Sequence, residues 1–182
     1  MDADVEIRTA RLRLLSWRES HRDAFAAMHA DPEVMADLGG PIDRTSSDAK
    51  LDRYIDTYQR YRTSRWAVES RDGRFLGYAG VMARPATTHP LGFHYEIGWR
   101  FNRTAWGHGY ATESASAAIE HAVRVTKLDA IVAYALPDNL RSLKVMERLG
   151  LLRRADLDFS EATEDGGIFE ALVWKVEIGR YR

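Results

Sequence analysis

The sequence predicts a single mixed α/β (α+β) domain, residues 1–182, built around one central sheet. Three observations support this prediction. The chain has 182 residues, 45% of them hydrophobic, which is enough for one core. Stretches with a strand-like period of two alternate with stretches of helical period. No internal repeat, low-complexity tract or long linker divides the chain.

The predicted order of elements is β-α-α-β-β-β-α-β-α-β-β, which is typical of a layered structure with one sheet. Seven strands are predicted at residues 5–15, 65–69, 75–82, 92–101, 129–135, 152–159 and 168–178. Four helices are predicted at about residues 20–31, 47–62, 110–125 and 140–149. Three connections stand out: a hairpin turn at 71–73, a loop over 84–91 with two prolines, and an acidic, flexible-looking segment at 160–167.

Local signals mark the ends of several helices. Ser20 with Asp23 and Thr45 with Asp48 have the spacing of capping boxes at the starts of the first two helices. Gly150 follows the last helix at the position where a helix often ends in a left-handed residue.

Composition excludes several classes of function. Lys and Arg number 26 and Asp and Glu 27, a net charge of −1 that argues against nucleic-acid binding by charge alone. No apolar run approaches 18 residues and the N-terminus is acidic, so we expect no spanning helix, no signal peptide and a cytoplasmic protein. The chain has no cysteine and its six histidines lack metal-site spacing, so no disulfide, enzyme thioester or metal is expected.

A glycine turn follows the strand at 92–101 and opens a helix rich in alanine and serine. Its sequence is Trp106-Gly107-His108-Gly109-Tyr110-Ala111. The first N–H groups of a helix have no intrahelical partner and its dipole favours anions, so this turn is a candidate phosphate site. A Walker A loop is excluded because tyrosine follows the second glycine, and a Rossmann fingerprint because Thr112 stands where Gly or Ala is needed. The alternative is an ordinary strand-to-helix turn.

Residues 106–113, Trp-Gly-His-Gly-Tyr-Ala-Thr-Glu, resemble motif A of the GNAT superfamily of N-acetyltransferases. They look most like the ribosomal-protein N-acetyltransferase (RimJ/RimL) branch, in which tryptophan is usual at the first position. Further segments resemble that branch in the same order, namely residues 9–14, 31–35, 96–99, Asn139-x-x-Ser142 and 147–151. The resemblance implies the GNAT acyl-CoA N-acyltransferase fold, a mixed sheet of about seven strands flanked by about four helices.

The resemblance also implies acetyl-CoA as cofactor. Its diphosphate is expected on the backbone amides of residues 108–112, and its pantetheine beside residues 97–101 of the preceding strand. The implied cofactor-binding residues are Ile97, Gly98, Trp99, Phe101, Trp106, Gly107, His108, Gly109, Tyr110, Ala111, Thr112, Asn139 and Ser142. The side chains of His108 and Arg103 could assist the diphosphate or simply be solvated.

Acyl transfer to an amine needs a base, donors for the oxyanion and an acid for the departing thiolate. Without cysteine, direct attack within a ternary complex is the economical mechanism. His94 and Glu96 lie on one face of a strand and are the candidate bases, and apolar neighbours are expected to raise the Glu96 pKa. The resemblance suggests Ser142 as the acid, because Met146 occupies the position of the superfamily's tyrosine. Glu96 could instead be a hydrogen-bonded structural carboxylate, and Ser142 a helix serine satisfied by backbone.

The expected partners are acetyl-CoA and an amine acceptor, either a protein N-terminus or a small molecule such as an amino acid, polyamine or antibiotic. No nucleic acid or membrane partner is expected, and a homodimer is possible. Glu33 and Asp37 are candidates to meet a cationic acceptor, or are surface residues. Three alternatives stay open: an acyl-CoA-binding or sensor domain without turnover, a transferase of a longer acyl group, and a nucleotide-binding module.

Overall fold

The computed structural model describes residues 5–85, 89–162 and 168–180. Within these ranges the chain forms a mixed α/β structure with nine strands and five α-helices, where the sequence predicted about seven strands and four helices. The strands are β1 Glu6–Arg8, β2 Leu12–Leu15, β3 Arg65–Ser70, β4 Phe75–Arg84, β5 His94–Phe101, β6 Ala130–Ala135, β7 Leu152–Arg153, β8 Phe159–Ala162 and β9 Ile168–Glu177. The helices are α1 Arg22–His29, α2 Pro32–Met35, α3 Arg44–Tyr61, α4 Tyr110–Val125 and α5 Leu140–Arg148.

The strands form one open sheet in the order β1-β2-β3-β4-β5-β6-β9-β7, and β8 also pairs with β9. All of these pairs are antiparallel except β5 with β6, which are parallel and share a single register pair, Glu96 with Val132. Beyond that pair the two strands diverge. A notch therefore opens in the middle of the sheet, beside residues 97–101 of β5.

The two faces of the sheet carry different layers. Because side chains alternate along a strand, β4 sends Ala79 and Val81 into the core that contains α4, and Tyr78 and Met82 into the core beneath α1 and α3. Ala115, Ala118 and Ala122 of α4 lie fully buried against the first face. The second face is more polar, and it holds the larger of the two cavities described below.

Two predicted strands are each divided in the structure. Residues 5–15 form the β1–β2 hairpin, because Thr9 turns the chain through hydrogen bonds of its hydroxyl with both backbone groups of Leu12. Residues 152–159 contain β7, a 3₁₀ turn over Ala155–Leu157 and the first residue of β8, which continues to Ala162. The predicted connection at 160–167 therefore begins inside a strand, and residues 163–167 lie outside the described part. So do residues 86–88 of the predicted loop at 84–91.

Both predicted capping boxes are wrong. A 3₁₀ turn, Glu19–His21, precedes α1, and the ring Nδ1 of His21 accepts the backbone N–H of Arg18 at 3.1 Å. The helix α3 begins at Arg44, earlier than predicted, because the Asp43 carboxylate caps it by accepting the Ser46 N–H at 2.7 Å. The hairpin turn at 71–73 and the end of α5 before Gly150 are confirmed. Among the described residues, none of the helices has the length and apolar character to cross a membrane.

Candidate active site

Two cavities meet at the notch in the sheet. The turn cavity, about 640 Å³, lies between the glycine turn, the end of β5 and α5. The strand cavity, about 830 Å³, lies on the polar face of the sheet, between α3, β4, β5 and β6. They share one wall, which contains Asp37, Trp99, Arg100, Asn139 and Ser142.

The glycine turn lies between β5 and α4 and opens that helix, as the sequence predicted. Gly107 and Gly109 have φ values of 79° and 76°, in the left-handed region that glycine adopts without steric cost. Gly109 is the N-cap of α4, and no side chain caps that end. The N–H groups of the first turn of α4 are therefore left for a ligand. The geometry fits an anion at this end of the turn cavity.

Thr112 supplies an independent sign that the turn cavity takes a polar ligand. Its hydroxyl Oγ1 is buried and has no hydrogen-bond partner among the described residues. Thr112 also lines the turn cavity. Buried hydroxyl groups are rarely left unsatisfied, so a bound oxygen-rich group is the natural partner. The residues present fit a phosphate-bearing cofactor.

The turn cavity also has a basic wall that the sequence interpretation missed. Arg141, Lys144 and Arg148 line it from one face of α5. The Arg141 guanidinium lies 3.7 Å from the centre of the Trp106 ring. Trp106 in turn donates its ring N–H to the Phe101 carbonyl at 2.8 Å. The spacing of three and four residues between these basic side chains was visible in the sequence as a helical face.

The two cationic candidates named from the sequence lie elsewhere. Arg103 forms an exposed ion pair with Glu33 at 2.5 Å. The His108 ring stacks on Tyr110, with centroids 5.4 Å apart. Neither residue lines the turn cavity. Among the predicted cofactor residues His108 can therefore contribute its backbone rather than its ring.

Arg11 fastens the glycine turn to the N-terminal hairpin. Its Nη1 donates to the His108 carbonyl at 2.9 Å, and its Nε donates to Glu113 at 2.7 Å. Glu113 also accepts the Thr9 hydroxyl at 2.6 Å. Burial alone would raise the Glu113 pKa, but these hydrogen bonds lower it. The carboxylate thus holds the turn through Arg11 as well as lying in the first turn of α4.

The predicted cofactor residues of β5 divide between the two cavities. Ile97 and Gly98 line the strand cavity, Phe101 the turn cavity, and Trp99 both. This arrangement follows from the notch, because residues beyond Glu96 have no register partner on β6. A ligand that follows the open side of β5 would pass from one cavity to the other.

Glu96 is surrounded by cations that the sequence did not reveal. Arg65 and Arg84 each lie 2.8 Å from one of its carboxylate oxygens, and the Tyr134 hydroxyl donates to Oε2 at 3.1 Å. Burial would raise the Glu96 pKa, but the two guanidiniums and the tyrosine lower it. The expected rise in pKa is therefore wrong. At neutral pH Glu96 is therefore an ionised carboxylate whose position is fixed by Arg65, Arg84 and Tyr134.

Two glycines make room for Arg65. Gly80 and Gly98 face each other across β4 and β5; the backbone of Arg65 lies against Gly80, and its guanidinium lies over Gly98. It donates to the carbonyls of Gly80 and Glu96. A Cβ on Gly98 would lie 2.5 Å from Arg65 Nη2. The absence of a side chain at Gly98 leaves room for the guanidinium to reach Glu96, and its absence at Gly80 lets β4 lie close to the backbone of Ser64 and Arg65.

His94 lies one pleat from Glu96 on the same face, as predicted. Its Nδ1 is 2.8 Å from the Gly92 carbonyl, and because a carbonyl can only accept, Nδ1 carries the proton. Nε2 is buried and unpartnered among the described residues. Burial lowers the pKa of His94, so the ring is neutral near pH 7 with its free lone pair on Nε2. His94 itself does not line the strand cavity, but His89 does, with its ring centre 4.6 Å from that of His94.

The shared wall contains the start of α5. Asn139 is its N-cap, and its Oδ1 accepts the Ser142 N–H at 3.2 Å. The other end of the same amide donates to Asp37 at 2.9 Å. Ser142 borders both cavities, and Met146, which is buried, borders the strand cavity. The Ser142 side chain is thus at the junction where a ligand in one cavity would meet a ligand in the other.

Comparison with known proteins agrees with this geometry. Residues 11–152 match the family model described as Acetyltransferase (GNAT) domain. The uncharacterized protein YkkB of Bacillus subtilis is 28% identical over 153 residues, which is 83% of this chain and 87% of YkkB. An acetyltransferase from Agrobacterium tumefaciens has a TM-score of 0.77 at 24% identity, covering 97% of this chain and 96% of that one. RimJ of Mycobacterium smegmatis, solved with CoA-disulfide, has a TM-score of 0.73 at 16% identity, covering 97% and 88%.

Proposed function

This chain belongs to the acetyltransferase (GNAT) domain family, and from that premise we propose that it acetylates a primary amine by direct attack in a ternary complex. It is an acyltransferase and its cofactor is acetyl-CoA. The observation that carries the proposal is the junction of two cavities at the notch beside β5. One cavity is suited to a phosphate-bearing cofactor, and the other opens beside the place where its reactive end would lie.

The turn cavity is the proposed cofactor site. The backbone of residues 107–112 and the hydroxyl of Thr112 would hold the diphosphate, and the basic face of α5 would attract the other phosphate. The open side of residues 97–101 would hold the pantetheine, as an added strand. When bound, acetyl-CoA supplies an acetyl group activated as a thioester.

Three side chains are proposed to assist the reaction. Neutral His94 is the better base, since its Nε2 carries a lone pair near pH 7, whereas Glu96 is a weak base with a lowered pKa. Glu96 instead fixes Arg65 and Tyr134 around the acceptor site. The proton would reach His94 through water or His89. Ser142, at the junction, would donate to the departing thiolate.

The acceptor class and the branch of the family are also proposals. Residues 106–113 and Asn139-x-x-Ser142 support the RimJ/RimL branch and hence a protein N-terminus, although a small amine fits the same chemistry. A cytoplasmic location is also part of this proposal. A transferase of longer acyl groups and a sensor without turnover are the alternatives.

The decisive experiment measures thiol release from acetyl-CoA with a panel of small amines and N-terminal peptides. Release that depends on one acceptor class supports the proposal and identifies the acceptor. Tight binding of acetyl-CoA without release for any acceptor would contradict it and favour the sensor. Propionyl-CoA in parallel tests the acyl length. A melting temperature raised by ATP and not by CoA would point to the nucleotide-binding alternative.

A further inference from the structure

The strand cavity has more positive charge than its own carboxylates neutralise. Among the described residues that line it, five side chains are basic and three are acidic. The basic residues are Lys50, Arg53, Arg65, Arg84 and Arg100, and the acidic residues are Asp37, Glu96 and Glu161. Such an excess favours an anionic group in a bound ligand.

Two of the three carboxylates of the cavity are already engaged, and the third, that of Glu161, is exposed at its rim. Glu96 lies between Arg65 and Arg84. Asp37 receives two hydrogen bonds from Arg100, at 2.7 and 3.2 Å. Both acids therefore lie against guanidinium groups, and Asp37 does not offer the free charge that a cationic acceptor would need. Glu33, the other acid considered for that role, pairs with Arg103 outside the cavity.

Lys50 and Arg53 differ from the paired charges of the cavity because neither has a charged partner in the part of the chain that the structure describes. They lie on one face of α3, three residues apart, and both line the cavity. Within the described residues neither makes an ion pair, although every other basic residue of the cavity wall does. Lys50 is half-buried, and burial lowers its pKa although Tyr78 opposes the shift. A half-buried ammonium without a counter-ion is unfavourable, and a bound anion would relieve it.

This inference rests on the proposed function. We propose that the acceptor amine also carries an anionic group, a carboxylate or a phosphate, which Lys50 and Arg53 bind. The amine of the same molecule then faces the junction at Ser142. A polyamine is a poor acceptor, because it would place further positive charge beside two cations that have no partner.

The test compares acceptors that differ only in the anionic group. Thiol release from acetyl-CoA is measured with glycine and glycinamide, with O-phosphoethanolamine and ethanolamine, and with spermidine. For each pair the ratio of kcat/KM is taken in the wild type and in Lys50→Met and Arg53→Met. The change in this ratio between proteins is independent of the different basicities of the two amines. We expect the ratio to fall about tenfold in each variant, in the glycine pair for a carboxylate site or in the phosphoethanolamine pair for a phosphate site.

Two control variants separate charge from folding. Lys50→Arg keeps the charge and should restore most of the ratio. Arg60→Met removes an exposed arginine of α3 that lines neither cavity, and should leave the ratio at the wild-type value. An unchanged ratio in both Lys50→Met and Arg53→Met would overturn the inference while leaving the proposed function intact. So would a wild-type preference for spermidine over both anionic amines. No release from any amine, with acetyl-CoA bound, would instead refute the proposed function, and this inference with it.

Discussion

The turn cavity and the strand cavity share a wall but are built in different ways. The turn cavity is lined by the glycine turn and the start of α4, together with one face of α5, the end of β5 and residues near α2. The strand cavity is lined by residues of six strands, α3 and α5, and ion pairs hold Arg65, Arg84 and Arg100 of its wall in place. Ligand binding in the turn cavity should therefore depend on backbone geometry, whereas the stability of the strand cavity should depend on the protonation state of its side chains. Substitutions that alter one cavity and not the other test this difference.

Glu96→Gln, in the strand cavity, should cause the largest loss of any substitution proposed here, a loss of folding stability. It leaves Arg65 and Arg84 without their shared anion, which should cost about 3–5 kcal/mol of stability at neutral pH. A lowered pKa contributes stability that is present above 4.5, the unfolded value, and is lost as pH falls further. The deficit of the variant should therefore shrink below pH 4.5. Urea unfolding at several pH values measures it.

Glu161→Gln is the matched control for that experiment. Glu161 lines the same cavity but is exposed. Its replacement should change stability by less than about 0.5 kcal/mol. Equal deficits for the two variants would show that the ion pairs of Glu96 contribute little, and the contrast between the cavities would fail.

His29 should make the strand-cavity side of the molecule sensitive to acid. It is buried and stacks on Tyr78, and burial, followed by Lys50, lowers its pKa from 6.5 to about 4. The folded protein binds this proton less readily than the unfolded chain, so stability falls as pH drops from 6.5 to 4. The loss should reach about 3 kcal/mol. In His29→Phe the free energy of unfolding should no longer fall between pH 6.5 and 4. The same fall in the variant and in the wild type would disprove this role of His29.

Gly109→Val should damage the turn cavity without destabilising the sheet. A β-branched residue at a φ of 76° would force the turn to move, and we expect the Kd for acetyl-CoA to rise about a hundredfold. Gly73→Val is the control, since Gly73 has a φ of 83° and open space around it but lies in the distant hairpin turn. Calorimetric titration should find normal binding in the control. Equal affinity in both variants would remove the turn as the cofactor site.

Arg141→Met should have the smallest effect. It removes one of three basic side chains that line the turn cavity and the guanidinium that covers Trp106. We expect the Kd for acetyl-CoA to rise about tenfold at low salt and less at high salt. Arg60→Met should not change it. A loss of acetyl-CoA affinity that is the same at low and high salt would indicate that Arg141 acts through packing on Trp106 and not through charge.

Sequence patterns were sufficient where the function depends on local backbone. The glycine turn and the start of α4 were predicted from neighbouring residues, and the structure confirms both. The basic face of α5 could also have been predicted, because its spacing is helical. These features need no knowledge of which strands are neighbours.

The surroundings of Glu96 could not be predicted in this way. The apolar neighbours of Glu96 along β5 suggested a raised pKa, but the charges that lower it come from other strands. Arg65 lies 31 residues earlier in the chain and Tyr134 lies 38 residues later. Their approach depends on the strand order and, for Arg65, on the space above Gly98. A local pattern contains none of that information.

The divergence of β5 from β6 leaves, within the described residues, an unpaired strand edge in the cofactor-free protein. Residues 97–101 form an edge that lies inside the sheet, and unpaired strand edges invite pairing with other chains. A cofactor that adds itself to this edge would protect it, so we expect those amides of residues 97–101 that face away from β4 to exchange hydrogen slowly only when acetyl-CoA is bound. The supply of acetyl-CoA would then govern how readily the protein aggregates as well as how fast it works.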